Sequence, residues 1–260
     1  MSEGEFAGRR AVVTGGDRGM GLGIATRLAE QGAEVCLVAR DADALDEARS
    51  AVGSTGASCT TIVADLADLG EATGVADQLG TTGPWDILVN DAGNPPGPVL
   101  VDLPVELWDE TFGVHVRAPF LLSKAVLPQM IERGGGDILS ISSTATVTPT
   151  PGHGAYSPAK SALESLTRNM ALEWGPHNVK ANAIQPTAVM TKLGEKVWGS
   201  KPVQADWLRS KIPMGRFGEV SDIVDLAHYL LGPHNSFVSG AVIPCDGAMR
   251  TGYFDKPVQP

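Results

Sequence analysis

The chain has 260 residues, 43% of them apolar and 19% charged, with 20 Lys and Arg against 30 Asp and Glu and a formal net charge of −10. This length and balance favour one α/β domain with a sizeable core and exclude disordered, collagenous and coiled-coil chains. The acidic balance also argues against nucleic acid and anionic membrane surfaces as partners.

Short apolar, β-branched runs alternate with longer amphipathic segments along the chain, a pattern typical of βαβ units. The predicted strands are residues 10–14, 34–39, 58–64, 85–90, 136–142, 179–184 and 237–244. The predicted helices are residues 21–31, 42–52, 69–79, 106–133, 155–174 and 219–231. The pattern predicts an α/β fold of the Rossmann type, a doubly wound sheet of seven parallel strands with helices on both faces.

No shift in composition marks a linker, so residues 1–260 are predicted to form a single domain. The one long interruption, residues 185–218, follows the sixth predicted strand at the carboxyl edge of the sheet, where such sheets bind ligands. We interpret this segment as a lid on the substrate side, and an ordinary surface excursion is the alternative.

The cysteines, Cys36, Cys59 and Cys245, have no paired spacing, which predicts buried, reduced thiols rather than a disulfide framework. No spacing of histidines and acids suggests a metal site. The first residues are acidic where a signal peptide is basic, and no apolar stretch approaches the roughly 18 residues needed to span a bilayer. We therefore expect a cytoplasmic protein.

The first predicted strand runs into a glycine-rich turn, residues 14–21, directly before the first predicted helix. Glycines let the backbone approach a pyrophosphate, and the N–H groups and dipole of the helix start receive its charge. The second strand ends at Arg40, where an acid would bind the ribose 2′-hydroxyl of NAD(H). Arg40 and Arg18 favour the 2′-phosphate of NADP(H), and the alternative is surface arginines paired with Asp41 or Asp17.

Further cofactor contacts are predicted where the third and fourth strands end. Asp65 is placed to accept a hydrogen bond from the adenine amino group, and an Asp that caps a turn is the alternative. Residues 90–93 would form a close-packed turn beneath the adenosine ribose.

Tyr156 and Lys160 stand four residues apart in a predicted helix, so their side chains project from one face. An ammonium about 4 Å from the phenol, at an effective dielectric of about 20, would favour the phenolate by about 4 kcal/mol. That energy lowers the pKa of Tyr156 by about three pH units, so Tyr156 would exchange a proton near neutral pH. Ser143 ends the fifth predicted strand at the same sheet edge, where its hydroxyl can hold the substrate oxygen.

These motifs, in chain order, are Thr14-Gly15-x-x-x-Gly19-x-Gly21, Asn90-x-Ala92-Gly93, Ser143, Tyr156-x-x-x-Lys160, Pro186 and Asp246-Gly247. In this order and spacing the chain resembles the short-chain dehydrogenase/reductase family over nearly its whole length. The resemblance implies 4-pro-S hydride transfer between nicotinamide and a carbonyl or secondary alcohol carbon. It also implies that Tyr156 is the acid/base, that Ser143 polarises the carbonyl, and that Lys160 binds the ribose and lowers the tyrosine pKa.

The predicted cofactor-binding residues are Gly15, Asp17, Arg18, Gly19, Met20, Gly21, Arg40, Asp65, Leu66, Asn90, Ala92, Gly93, Tyr156, Lys160, Pro186, Thr187, Val189 and Thr191.

The segments Pro-Thr-Ala-Val-Met-Thr at residues 186–191 and Ile-Pro-Met-Gly-Arg-Phe-Gly-Glu-Val at 212–220, with Trp198 between them, are similar to the dicarbonyl/L-xylulose reductase branch of that family. The similarity implies an NADPH-dependent homotetramer that acts on small dicarbonyls and ketoses. The apolar segment 237–244 likewise suggests burial across a subunit interface. The predicted substrate contacts are Asn94, His153, Met190 and Trp198.

The chain departs from the family pattern at a few positions. His115 stands where the family has an Asn that holds a water linking the lysine to solvent. His115 either replaces that Asn as donor and acceptor in the proton relay, as a catalytic residue, or is a satisfied structural residue. Asp91 replaces the second Asn of Asn-Asn-Ala-Gly, and Ala248 replaces a glycine.

The sequence therefore predicts an NADP(H)-dependent oxidoreductase whose small-molecule substrate is a ketose, polyol or dicarbonyl. The alternatives are a 3-oxoacyl-thioester reductase of the same family and a catalytically silent NADP(H)-binding sensor. The presence of Ser143, Tyr156 and Lys160 together favours an enzyme, because a sensor does not need all three.

Overall fold

The computed structural model describes residues 4–252, apart from the side chains of Leu193 and Val197. A central parallel sheet of seven strands organises the fold. Its strands are β1 (Arg10–Thr14), β2 (Glu34–Ala39), β3 (Cys59–Val63), β4 (Ile87–Asn90), β5 (Gly136–Ile141), β6 (Val179–Pro186) and β9 (Val242–Cys245), and their order across the sheet is β3-β2-β1-β4-β5-β6-β9. A separate pair consists of β7 (Val189–Met190) and β8 (Gly218–Glu219). The predicted doubly wound parallel sheet is confirmed, and the chain order reverses between β1 and β4, where such sheets bind ligands.

Helices cover both faces of this sheet. They are α1 (Gly19–Glu30), α2 (Ala42–Gly53), α3 (Leu69–Thr82), α4 (Val105–Phe112), α5 (Ala118–Glu132), α6 (Tyr156–Trp174), α7 (Lys192–Gly199), α8 (Pro202–Ser210) and α9 (Val220–Leu231). Val12 and Val13 are both fully buried but belong to different apolar clusters. The cluster of Val13 includes residues of α1, α2 and α9, and the cluster of Val12 includes residues of α3, α5 and α6, as expected for successive residues of a strand covered on both faces.

Two predicted elements differ from the structure. The predicted strand 237–244 is wrong at its start: Phe237 is 98% exposed, and β9 begins only at Val242. The backbone turns before it, because the Asn235 side chain accepts the Val238 N–H at 2.8 Å and Gly240 has a φ of +74°. The predicted helix 106–133 is divided into α4 and α5 by a π-helical turn at Gly113–Arg117.

The segment predicted as a lid has secondary structure of its own. Its first two residues, Gln185 and Pro186, belong to β6, and the remainder forms β7, α7, α8 and β8. These elements enclose a small apolar cluster centred on Ala205, Ile212 and Phe217.

The prediction of buried, reduced cysteines is confirmed for Cys36, whereas Cys59 and Cys245 are only half-buried, and all three thiols are free. Among the described residues, no helix combines the length and apolarity needed to cross a membrane.

Candidate active site

The turn between β1 and α1 fits a pyrophosphate. Gly15 and Gly19 have φ values of +65° and +60°, and a Cβ at Gly21 would lie 2.3 Å from the Gly15 carbonyl oxygen. The helix N-cap, Arg18, makes no side-chain capping bond, and the Asp91 carboxyl faces the Gly21 amide, so among the described residues the Gly19 and Met20 amides are left for a ligand. A helix start that is open in this way attracts a bound anion.

The turn after β4 is fixed against β1. The Thr14 hydroxyl oxygen accepts the N–H groups of Asp91 and Ala92, each at 3.1 Å. Asn90 is 3% exposed, yet its side-chain oxygen and nitrogen have no hydrogen-bond partner among the described residues. Unsatisfied buried polar atoms beside an open helix start suit a polar ligand. The predicted cofactor residues of both turns therefore meet at one place.

The two arginines predicted for a 2′-phosphate differ in their contacts. The Arg18 guanidinium lies 2.5 Å from Asp17 and 2.7 Å from Asp41, as the surface-pairing alternative predicted. Arg40 is exposed at the end of β2, and no ion pair or hydrogen bond involves its guanidinium within residues 4–252. Arg40 is thus the more available of the two for an anion.

Asp65 caps a turn, accepting the Ala67 N–H at 2.9 Å, as its alternative reading predicted, and the neighbouring Leu66 is buried. Met20 lies in the first turn of α1, partly buried against the core on that face.

The segment after β6 reaches the glycine turn. The Thr191 methyl lies 3.4 Å from the position that a Cβ of Gly19 would take, and the Thr191 hydroxyl caps α7 by accepting the Gly194 N–H at 3.0 Å. Pro186 ends β6, Val189 lies in β7, and the Thr187 hydroxyl contacts the Met249 sulfur at 3.0 Å. These residues line one side of the carboxyl edge of the sheet.

The predicted catalytic residues come together at this edge. Tyr156 is the first residue of α6, and the side chain of Ser143, which follows β5, is near enough to lower the Tyr156 pKa by hydrogen bonding. Lys160 is one turn further along α6 and only 4% exposed, with its ammonium donating to the Ile141 carbonyl oxygen at 2.6 Å. The Lys160 nitrogen lies 5.7 Å from the centre of the Tyr156 ring. The tyrosine, the lysine and the serine thus form one constellation.

The expected lowering of the Tyr156 pKa is wrong for this structure. Burial raises the pKa of Tyr156, the Asp91 carboxylate raises it further, and the hydrogen bond to Ser143 opposes them. Lys160 is held on the Ile141 carbonyl, and burial lowers its own pKa to about 8, against the opposing charges of Asp91 and then Glu164. Tyr156 therefore keeps its proton at neutral pH, which suits a proton donor.

His115 lies in the π-helical turn and is 2% exposed. Its Nε2 is 3.0 Å from Asn94 Oδ1, while Asn94 Nδ2 donates to Thr111 at 3.2 Å, so Nε2 carries the hydrogen. Nδ1 is buried without a partner among the described residues. Burial, and then the charge of Lys160, hold the pKa of His115 well below its usual value, so the ring is neutral. The ring stands edge-on to Tyr156, with 5.3 Å between centroids.

The predicted substrate contacts separate into two groups. Asn94 reaches the site through His115, and the His153 ring lies 5.6 Å from that of Tyr156. Met190 and Trp198 instead pack into the cluster of the lid segment, where Trp198 lies 5.5 Å from Phe217 between ring centroids.

Sequence reasoning missed a buried polar network behind Lys160. Glu164 is 6% exposed and accepts hydrogen bonds from Ser142 Oγ and Gln185 Nε2, both at 2.6 Å. Arg250 donates to the Gln185 side-chain oxygen, also at 2.6 Å. Glu164 follows Lys160 by four residues on the same helix face, and that spacing was the available signal.

No group of His, Cys, Asp and Glu side chains within residues 4–252 is arranged to hold a metal ion, and the prediction of metal-free chemistry stays a prediction.

A family model described as enoyl-(acyl carrier protein) reductase matches residues 15–250. L-xylulose reductase of Bos taurus is 40% identical over 244 residues, covering 93% of this chain and 96% of that protein. Gluconate 5-dehydrogenase of Gluconobacter oxydans (strain 621H) is 37% identical over 245 residues, covering 94% of this chain and 95% of that protein.

Among solved structures, one from Beutenbergia cavernae, assigned as an NAD(P)-dependent gluconate 5-dehydrogenase with NADP bound at low occupancy, superposes with a TM-score of 0.89. It is 34% identical and covers 96% of this chain and 100% of its own. Together with the motifs and the parallel sheet, these matches identify the chain as a member of the short-chain dehydrogenase/reductase family of oxidoreductases.

Proposed function

We propose that this protein is an NADP(H)-dependent oxidoreductase that transfers a hydride between nicotinamide and a carbonyl or secondary alcohol carbon of a ketose, polyol or small dicarbonyl. The arrangement of Ser143, Tyr156 and Lys160 carries the proposal. A hydroxyl pair backed by a buried ammonium is what the proton half of this reaction requires.

In the reduction direction, a nicotinamide held at this edge of the sheet would supply the hydride. The Ser143 hydroxyl holds the carbonyl oxygen, and Tyr156, which keeps its proton at neutral pH, donates that proton to the oxygen. Lys160, anchored on the Ile141 carbonyl, has further N–H groups to hold the ribose. The neutral His115 is a candidate to link Lys160 to solvent through its unpartnered nitrogen.

The exposed end of β2 supports NADP(H) over NAD(H). The exposed Arg40 guanidinium, without an ion pair or hydrogen bond within residues 4–252, can bind a 2′-phosphate with two N–H groups, and this position holds an arginine rather than an acid. Arg18 has to exchange Asp41 for the phosphate before it contributes. The glycine turn, the open helix start and the unsatisfied Asn90 fit the remainder of the dinucleotide.

The polar groups beside Tyr156 support a small hydroxylated substrate. Asn94 and His153 bring an amide and an imidazole close to the proton donor. Xylulose and gluconate name two of the similar proteins, which supports sugar-derived substrates for this chain.

Turnover with a substrate panel tests the proposal. We expect NADPH oxidation with L-xylulose or diacetyl, and Tyr156→Phe to abolish it while NADPH still binds. Turnover of an acetoacetyl thioester alone would assign the thioester reductase alternative. Tight NADPH binding without turnover of any carbonyl would favour the silent sensor and contradict the proposal.

Cofactor choice has its own test. Arg40→Ala should weaken NADPH binding by about tenfold to a hundredfold, the loss of one to two charge-assisted hydrogen bonds, and leave NADH binding unchanged. Arg18→Ala should weaken NADPH binding less, because Asp17 and Asp41 already engage that guanidinium. An unchanged ratio of the two dissociation constants in Arg40→Ala would refute the NADP(H) assignment.

A further inference from the structure

Asp91 places a carboxyl group in the floor of the candidate site. It directly follows β4, and the Gly21 N–H at the start of α1 faces its side chain and lowers its pKa. One carboxyl oxygen lies 2.8 Å from the position that a Gly21 Cβ would take, so the group is packed against the helix start. The backbone N–H of Asp91 donates to the Thr14 hydroxyl oxygen. The carboxyl is therefore fixed between the glycine turn and the end of the sheet.

The sheet register brings Asp91 to the edge where Lys160 is anchored. Asn90, the last residue of β4, pairs with Ser140 of β5, so the residues that follow them, Asp91 and Ile141, lie at the same edge of the sheet. The Ile141 carbonyl is the group that anchors the Lys160 ammonium, at 2.6 Å. Asp91 and Lys160 interact electrostatically, and Asp91 acts on Lys160 more strongly than Glu164 does.

The other carboxylates near the pair are already engaged by other groups. Glu164 shares its carboxylate among Ser142, Gln185 and, at 3.8 Å, Arg168. Asp17, in the glycine turn, is paired with Arg18 and opposes ionisation of Asp91.

Two uncharged rings complete the surroundings. His115, in the π-helical turn, is neutral, and Tyr156 keeps its proton. This leaves Asp91 as the main counter-charge facing the ammonium.

We propose that the Asp91 carboxylate is a positioning residue for the reaction proposed above, as the counter-charge of the buried Lys160 ammonium at this edge of the sheet. The inference deepens the proposed function and depends on it for the role of Tyr156. An Asn at this position would accept the same Gly21 N–H without contributing the charge.

Titration of the pair agrees with this placement. Burial raises the pKa of Asp91 to about 6, with Lys160 opposing the rise, so Asp91 is ionised at neutral pH. Burial lowers the pKa of Lys160 to about 8, with Asp91 opposing the fall. Asp91 also raises the pKa of Tyr156. Removing the carboxylate therefore lowers the pKa of both proton-bearing groups.

The pH dependence of carbonyl reduction tests the proposal, measured for the wild type, Asp91→Asn and Asp91→Ala. The control for net charge is Asp77→Asn, because Asp77 lies on the exposed face of α3. We expect the alkaline limb of kcat/KM to move to lower pH by about one unit in both Asp91 variants, as for loss of a nearby opposite charge. Asp77→Asn should leave the limb where it is.

The two Asp91 variants separate charge from structure. If Asp91 only caps the start of α1, Asp91→Asn keeps the wild-type limb and Asp91→Ala alone changes, which would overturn the proposal. An equal movement in Asp77→Asn would also overturn it, because net charge would then be sufficient.

A measurement without turnover keeps this inference distinct from the proposed function. In protein carrying ¹³C-lysine, the Lys160 Cε signal, assigned by its loss in Lys160→Met, reports the titration of that ammonium. The pKa of Lys160 should be lower by about one unit in Asp91→Asn than in the wild type, even if no carbonyl is reduced. Equal values in the two proteins would overturn the inference, whereas absent turnover with a lowered value would overturn only the proposed function.

Discussion

Around Tyr156, hydrogen bonds and charges act in opposite directions. Ser143 favours loss of the tyrosine proton through its hydrogen bond, whereas burial and Asp91 favour its retention. Ser143 has a second task, because its oxygen also accepts the Ala145 N–H at 3.1 Å and so caps the turn at Thr144–Thr146. The proton affinity of the site is thus set by several residues that are far apart in sequence.

Substitution of Ser143 should act on both rate and pH dependence. In Ser143→Ala, the loss of one donor to the substrate oxygen should lower kcat by about a hundredfold or more. The pKa of Tyr156 should rise, because the hydrogen bond that lowered it is gone, and the alkaline limb of kcat/KM should move to higher pH. This direction is opposite to that expected for Asp91→Asn. A limb that stays in place would contradict the role of that hydrogen bond.

His115 offers a test of the proton relay. We expect His115→Leu to lower kcat by about tenfold, the lower part of the range for a lost proton-transfer group, with a changed solvent isotope effect. His115→Asn, which restores an acceptor, should stay within about threefold of the wild type. Because the pKa of His115 lies well below its usual value, its titration should add no acid limb above pH 6. If His115→Leu has the same kcat as the wild type, His115 has only a structural role and the relay prediction is wrong.

At the scale of elements, the carboxyl ends of β4 and β5 and the start of α6 converge because neighbouring parallel strands end at one edge. The π-helical turn places His115 against Gly93, where a Cβ would lie 2.2 Å from the imidazole ring. This turn was not predictable from periodicity, because a single extra residue hardly disturbs the apolar pattern of one long helix.

The close packing at Gly93 predicts a stability difference between two glycine variants. Gly93→Ala should lower the free energy of unfolding by about 1–3 kcal/mol, since the buried ring has to move. A Cβ at Gly74, in α3, would meet no atom of the described residues within 4 Å, so Gly74→Ala should raise the same free energy by about 0.5–1 kcal/mol. Urea unfolding of both variants measures the contrast. Equal stability of the two variants would show that the ring moves without cost.

At the scale of the whole molecule, the net charge of −10 says little about the ligand that we propose, which is itself an anion. In that proposal, local groups receive it, namely the first two amides of α1 and the exposed Arg40, while Asp17 and Asp41 engage Arg18. Large apolar side chains remain exposed elsewhere, including Phe237 at 98% and Leu172 at 78%.

These exposed side chains give the expected homotetramer a test. The turn that carries Phe237 packs on the end of α6, where a Cβ at Gly240 would lie 3.4 Å from Ala171, next to Leu172. We expect Phe237→Asp to lower the mass measured by light scattering from a tetramer to smaller species, because apolar surface of this kind is buried between subunits. Val63→Ser, on the edge strand β3, is the control. A tetramer that persists in Phe237→Asp would place the interface elsewhere.

The sequence by itself determined the seven-stranded fold and the meeting of Ser143, Tyr156 and Lys160, because strand alternation and the shared carboxyl edge are local patterns with one compatible topology. Only the tertiary structure decided that Arg18 is paired with Asp17 and Asp41, that the Tyr156 pKa is raised, and that Asp91 faces Lys160. The burial of a titratable group and the electrostatic field on it depend on many residues that are distant in sequence, so no local sequence pattern predicts them.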